Sequence, residues 1–218
     1  MQTSLTEAQQ LIDAGRRLDT KGFIAGTDGN LSARCEDGAI LITPSGRPKG
    51  QLTPDDLVTV SVDGTVVDGS GKPSSEIAMH LLAYRRRPDC RACVHSHPPH
   101  ATAFAVAGRE LPSDILPEVV VFVGRIPLAE YAPPGTEAVP SSLEPFIAEH
   151  NAFLLRNHGL LTIGTTVEEA LHRHETVEHF ARILWLALQV GEPGRIPPDD
   201  LARLNQLRDR LADKKEPS

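Results

Sequence analysis

His95 and His97 stand one residue apart in Arg91-Ala92-Cys93-Val94-His95-Ser96-His97-Pro98. Alternate residues of a β-strand point to the same face, so a strand there turns both imidazoles one way. Neutral imidazole is a common ligand for zinc and related metals. Two ligands on one strand need a third from elsewhere, and His158 can supply it. It lies in Phe153-Leu154-Leu155-Arg156-Asn157-His158-Gly159, where an apolar run stops at a His followed by a turn-forming Gly. Three imidazoles leave a coordination position open, as catalytic zinc requires. Glu76, in Pro73-Ser74-Ser75-Glu76, sits at the expected start of a helix, where its carboxylate could act as a base beside the metal.

A second chemistry is suggested by Gly26-Thr27-Asp28-Gly29-Asn30, Thr43-Pro44-Ser45-Gly46 and Ser74-Ser75. Each combines backbone permissiveness with hydroxyl or amide donors, the make-up of a phosphate nest. Ser74 and Ser75 at a helix N-terminus add a favourable dipole. Taken singly each segment is an ordinary turn or cap; their company with the histidines gives them weight. No Lys or Arg lies within them, although Arg47 and Lys49 adjoin one. None is a Walker-type or dinucleotide fingerprint.

These side chains need elements to position them. Thr6–Leu18 reads as a helix from Ala8, Leu11, Ile12, Gly15 and Leu18 at helical spacing, with Thr6 and Gln9 as a capping box. Leu31–Arg34 and Ala39–Thr43 read as a hairpin across Glu36-Asp37-Gly38, and Leu57–Val62 with Thr65–Val67 as another across Asp63-Gly64. Ser74 or Ser75 caps a helix to about Arg86, stopped by Pro88. Ala92–His97 is a short strand and Pro99–Ala107 a short helix. Val119–Val123 and Ile126–Tyr131 are β-branched, apolar runs around Gly124. Thr136–Glu149 is helical, Phe153–Arg156 and Leu160–Ile163 are strands, Val167–Val190 is a long amphipathic helix, and Asp199–Lys214 is a final charged helix before a frayed tail at Glu216-Pro217-Ser218. Hairpins beside helices predict one α/β domain, a largely antiparallel sheet flanked by helices, with its core over about 5–190 and a terminal helix over about 199–214.

Composition narrows the classes. The 218 residues suffice for one buried core, and 40% hydrophobic with 23% charged residues is a globular balance. A net charge of -7 argues against a nucleic-acid or anionic-membrane partner but leaves room for a small phosphorylated substrate. The polar N-terminus, the short apolar stretches and the three cysteines predict a cytoplasmic protein without a disulfide framework. The other histidines, His80, His100, His150, His172, His174 and His179, are assigned structural or surface roles. His172 and His174 lie two apart on a helix and so face different ways. Cys90-Arg91-Ala92-Cys93 reads as two semi-buried thiols, and Arg85-Arg86-Arg87 as a solvated helix end.

The ordered set Gly26-Thr27-Asp28-Gly29-Asn30-Leu31-Ser32, Leu41-Ile42-Thr43-Pro44-Ser45-Gly46, Pro73-Ser74-Ser75-Glu76, Val94-His95-Ser96-His97, Tyr131-Ala132-Pro133-Pro134-Gly135-Thr136 and Asn157-His158-Gly159 resembles the class II aldolase and adducin-head family. It looks most like that family's zinc-dependent L-fuculose-phosphate aldolases. The resemblance runs from about Leu5 to Val190. It implies a central, mostly antiparallel sheet with helices on both sides, one zinc or similar divalent ion per chain, and a four-fold homotetramer with active sites at subunit interfaces. It casts His95, His97 and His158 as metal ligands and Glu76 as the acid/base that also touches the metal. Gly29, Asn30, Ser45, Gly46, Ser74 and Ser75 correspond to the substrate's phosphate pocket. The implied reaction is reversible cleavage of a ketose 1-phosphate to dihydroxyacetone phosphate and an aldehyde. The bacterial fuculose phosphate enzymes carry a catalytic tyrosine, reaching over from a neighbouring subunit, near the position of Leu116; here Glu118 is either a substitute for it or a rim carboxylate. Decarboxylation or dehydration on the same scaffold is the alternative. A 4-epimerase, which carries Asp at the position of Glu76, and a non-enzymatic adducin-like module rank lower.

Overall fold

Eight strands form one sheet in the order β4-β3-β2-β1-β5-β8-β7-β6. The computed structural model describes the backbone of residues 2–213 and the side chains of 7–212. The strands are β1 (Asn30–Arg34), β2 (Ile40–Ile42), β3 (Val58–Val60), β4 (Val66–Asp68), β5 (Ala92–Ser96), β6 (Leu128–Ala129), β7 (Ala152–Leu155) and β8 (Gly159–Gly164). Every neighbouring pair is antiparallel except β6 with β7, which run parallel. This is the mostly antiparallel α/β sheet of the sequence reading, with helices on both faces.

Alternation along the central strands divides the core. Leu31 and Ala33 of β1 and Ala92 and Val94 of β5 face α1 (Gln2–Thr20) and α6 (Val167–Val190), where Leu11, Leu18 and Leu171 pack. On the other face Ile40, Ile42, Val58, Val60, Phe153, Leu161 and Ile163 pack against α2 (Ile77–Arg86) and α5 (Ala138–Leu143). A third cluster, around Phe104, Leu154, Leu160 and Phe180, joins α3 (Pro99–Val106) and α4 (Pro117–Phe122) to α6. Full burial of side chains this size is worth about 1.5–3 kcal/mol each. The terminal helix α7 (Pro198–Asp213) lies on α4.

Several local expectations are revised. Helix α1 begins at Gln2, so Thr6 lies inside it and not at its start. The N-cap of α2 is Glu76, and Ser74 acts two residues earlier, its Oγ accepting the Glu76 N–H at 3.3 Å. The β-branched run after Pro117 is a helix, because burial of Val119, Val120 and Val121 among α6 and α7 overrides strand propensity. Ile126–Tyr131 narrows to the two residues of β6, and the 136–149 helix to the six of α5. The arginine cluster is not merely solvated: Arg86 pairs with Glu144, and Arg87 holds Asp89 at 2.7 Å and the His150 carbonyl at 3.1 Å. The frayed tail at 216–218 lies outside the described residues.

Candidate active site

Strand β5 lies in the middle of the sheet, and its alternation decides where the histidines go. Val94 points to the α1/α6 face, so His95 points to the α2 face, and His97, one residue past the strand end, follows it. Glu178 of α6 fixes the chain just beyond. Its carboxylate accepts the His100 N–H at 3.0 Å and the Ala101 N–H at 2.8 Å, closing the first turn of α3. His158 belongs to the tight turn between Leu155 of β7 and Gly159 of β8. Asn157 takes a left-handed φ of 56°, which Asn tolerates, and the His158 N–H donates to the Leu155 carbonyl at 3.0 Å.

The three rings converge. Their centroids lie 5.2 Å (His95–His97), 4.7 Å (His95–His158) and 5.2 Å (His97–His158) apart. One ligand nitrogen from each lies within 4.8 Å of the others. The buried His95 Nδ1 lies 2.9 Å from the Leu160 carbonyl and so carries its proton toward it, leaving Nε2 with a bare lone pair. Asp28 Oδ2 stands 3.3 Å from His97 Nδ1, the outer-shell carboxylate common behind a ligating imidazole. Burial, and then His95 and His158, hold the His97 imidazolium down to about 4, which favours the neutral, ligating form.

Glu76 closes the site. Its Oε1 is 3.0 Å from His158 Nε2, and its Oε2 is 3.4 Å from His95 Nε2. Glu76 Oε1, His95 Nε2 and His97 Nε2 are buried with no hydrogen-bond partner. Lone pairs aimed at one another and at a carboxylate repel unless a cation lies between them. The donor set therefore fits a divalent metal, and the His triad is positioned to bind one.

The proposed phosphate segments come together in part. An antiparallel bridge joins Pro44 to Pro73, with the Ser45 N–H on the Lys72 carbonyl (3.0 Å) and the Ser74 N–H on the Thr43 carbonyl (3.2 Å). Those two amides are thereby spent, leaving the hydroxyls of Ser45 and Ser75 exposed. Gly46 has φ of 68°, a turn that suits glycine. Gly29 serves packing as well as freedom: its φ is 71°, and a Cβ there would stand 2.8 Å from the His95 carbonyl. The Asn30 amide turns toward Glu76, Nδ2 donating to Oε2 at 2.9 Å, with Oδ1 taken by His80.

Lys49, which in sequence merely adjoins a motif, is buried to 2% exposure. Its Nζ donates to the carbonyls of Thr27 and Arg47, each at 2.7 Å, tying the 26–30 loop to the 45–47 loop. Burial lowers its pKa, opposed by Asp28 and Glu76. A cation thus lies under loops assigned only neutral donors. The sequence signal for it was faint, since one Lys after a Gly-Arg-Pro turn reads as surface. Leu116 packs against the third core cluster, and Glu118 is exposed on the first turn of α4. Cys90 and Cys93 are buried thiols with their sulfurs 3.8 Å apart.

Similarity to known proteins agrees with this geometry. A 5-deoxy-D-ribulose 1-phosphate aldolase of Bacillus thuringiensis is 34% identical over 91% of this chain and 93% of its own length. A 3-oxo-tetronate 4-phosphate decarboxylase of Escherichia coli is 36% identical over 76% and 80%. The solved structure of an L-fuculose 1-phosphate aldolase superposes with a TM-score of 0.86 at 32% identity, covering 92% of this chain and 95% of that one. Residues 9–185 match the class II aldolase and adducin N-terminal domain, and the chain belongs to that family.

Proposed function

We propose that the protein is a zinc-dependent lyase that reversibly cleaves a ketose 1-phosphate into dihydroxyacetone phosphate and an aldehyde. The observation that carries this reading is the Glu76 carboxylate set 3.0 and 3.4 Å from two of three converging imidazoles. His95, His97 and His158 would hold the ion. When bound, zinc supplies Lewis acidity at a substrate carbonyl and steadies the negative charge that develops there. As the bond between the third and fourth carbons breaks, the hydroxyl on the fourth carbon gives up its proton and becomes the aldehyde, and the bond's electron pair moves toward the ketone carbonyl. Glu76 then delivers one proton to the third carbon, matching the one released, and in the reverse direction it removes one. Ser45, Ser74 and Ser75, with Gly29, Asn30 and Gly46, would hold the phosphate so that this carbon lies beside Glu76. Lys49 ties those loops together from beneath.

The relative named for 5-deoxy-D-ribulose 1-phosphate favours a short sugar or an L-fuculose 1-phosphate-like one. Neither tyrosine of the chain is close to Leu116 in sequence: Tyr84 is a buried residue of α2 and Tyr131 is exposed beyond β6. The second reading, decarboxylation of a phosphorylated 3-oxo sugar acid, uses the same triad and rests on the decarboxylase relative. We take the assembly to be a homotetramer in the cytoplasm, as the sequence resemblance implies. A panel of ketose 1-phosphates and 3-oxo acid phosphates separates the readings. Release of an aldehyde together with dihydroxyacetone phosphate from a ketose 1-phosphate supports the aldolase; carbon dioxide from a 3-oxo acid phosphate, with no aldehyde from any ketose 1-phosphate, overturns it.

A further inference from the structure

Helix α2 carries Glu76 at its cap, then His80 and Tyr84, each four residues on. Strand β1 carries Asn30 and Ser32 on the face turned toward that helix, two residues apart. Four helical residues rise about 6 Å. Two strand residues rise about 6.8 Å. The two rows therefore stay in step and their side chains interleave.

Among the described residues the result is one hydrogen-bonded line. Tyr84 OH lies 2.6 Å from Ser32 Oγ, which lies 2.7 Å from His80 Nδ1. His80 Nε2 lies 2.5 Å from Asn30 Oδ1, and Asn30 Nδ2 lies 2.9 Å from Glu76 Oε2. Its direction follows from the charge at one end. The Glu76 carboxylate only accepts, so the Asn30 NH2 must face it and Oδ1 must face away. Oδ1 then needs a donor, which makes His80 the Nε2–H tautomer. Nδ1 of His80 accepts from the Ser32 hydroxyl, which accepts in turn from Tyr84. Burial, and then His95, hold the His80 imidazolium down to about 3, with Glu76 opposing, so the ring is neutral and one nitrogen must accept.

We propose that His80 is a positioning residue: its Nε2–H locks the Asn30 amide with its NH2 toward Glu76, and so holds the Glu76 carboxylate at the reacting carbon. The proposal rests on Glu76 being the proton-transfer group. With His80 gone, Asn30 Oδ1 loses its donor, so the amide is anchored only by its bond to Glu76 and can tilt, carrying the carboxylate away from the reacting carbon. His80 touches none of the three converging histidines, and its one contact with the substrate-binding set is the Asn30 amide that it turns toward Glu76. Its loss should act on the orientation of Glu76 and leave metal binding alone.

The test compares His80→Leu, which deletes the donor, with His80→Gln, whose amide N–H can restore it, and with Glu76→Gln as reference. All are measured as zinc-loaded enzyme on the best ketose 1-phosphate of the panel. His80→Leu should lose about 10- to 100-fold in kcat, with KM changed far less and zinc content unchanged. His80→Gln should recover to within a few-fold of the parent. The ¹⁵N spectrum of the parent should show His80 protonated at Nε2 and bare at Nδ1, a readout independent of activity. Should His80→Leu fail to fold, Ser32→Ala breaks the next link and should lower kcat at constant KM. A folded, zinc-loaded His80→Leu with parental kcat, or a His80 ring protonated at Nδ1, overturns the proposal while Glu76→Gln stays inactive. Parental turnover in Glu76→Gln overturns the functional reading on which it stands.

Discussion

Gly159 opens strand β8 directly behind the histidines. A Cβ at this position would stand 2.6 Å from His97 Cδ2, 2.6 Å from the Ser96 carbonyl oxygen and 3.4 Å from His95 Cε1. Comfortable contacts begin at about 3.5 Å, so the neighbours of an alanine must give by about 1 Å. Metal sites tolerate only about 0.2 Å of ligand displacement, so the His97 ring cannot retreat without weakening the bond to the ion. Overpacking of this kind costs about 1–3 kcal/mol. Taken wholly from metal binding, that is a loss of about 5- to 150-fold in affinity. Gly164, at the other end of the same strand, supplies the control: its Cβ would stand 2.6 Å from the Ala170 amide nitrogen, away from the histidines. Neither glycine has a positive φ, so backbone strain does not separate the two variants. Competition for zinc against a coloured chelator, with urea unfolding of the metal-free proteins, measures both effects. Gly159→Ala should bind zinc more weakly, while Gly164→Ala should unfold earlier but bind zinc like the parent. Equal zinc affinity in the two variants would refute the reasoning.

Glu76→Gln should keep the fold and the zinc and lose about 10²- to 10⁴-fold in turnover, the usual range for a general acid/base. Undiminished turnover would reduce Glu76 to a helix-start residue. Ser75→Ala should raise KM for a phosphorylated ketose without changing zinc content, and the unphosphorylated sugar should be a far poorer substrate; equal efficiency on both sugars would remove the phosphate pocket. His174, buried between Ser96 and Thr162, has its pKa pushed by burial from the ordinary 6.5 down to about 3. Between those values the unfolded chain holds the extra proton, so stability falls as pH drops through 6.5, by about 1.4 kcal/mol per unit below about pH 6. Urea unfolding at pH 6 and pH 5 should show a His174→Gln variant losing less stability than the parent, and an identical loss contradicts the assignment.

The convergence of His95, His97 and His158 was legible because their spacing has one simple structural meaning. A single residue between His95 and His97 puts both on one strand face, and an apolar run broken at Asn157-His158-Gly159 reads as a hairpin tip. The lower half of the site was hidden for two physical reasons. Lys49 looks like a surface lysine until the packing of α1 against the 49–51 turn buries it. The four-residue spacing of Glu76, His80 and Tyr84 is visible in the sequence. Its meaning depends on the register that pairs Asn30 with His95 and Ser32 with Cys93 across β1 and β5. The helix at Val119–Val121 was obscured because β-branched residues speak for strands until burial among neighbouring helices decides otherwise.

The central claim joins a zinc-binding triad, the Glu76 base and a phosphate pocket in one act of proton transfer, and it can be tested without knowing the aldehyde. Dihydroxyacetone phosphate alone, incubated with zinc-loaded enzyme in deuterium oxide, should exchange one hydrogen of the carbon that bears the free hydroxyl. ¹H NMR should show one deuteron per molecule, entering at a rate that falls on chelation, returns with added zinc and is lost in Glu76→Gln. Absence of exchange by the loaded enzyme, or exchange that persists after the metal is stripped, would contradict the account.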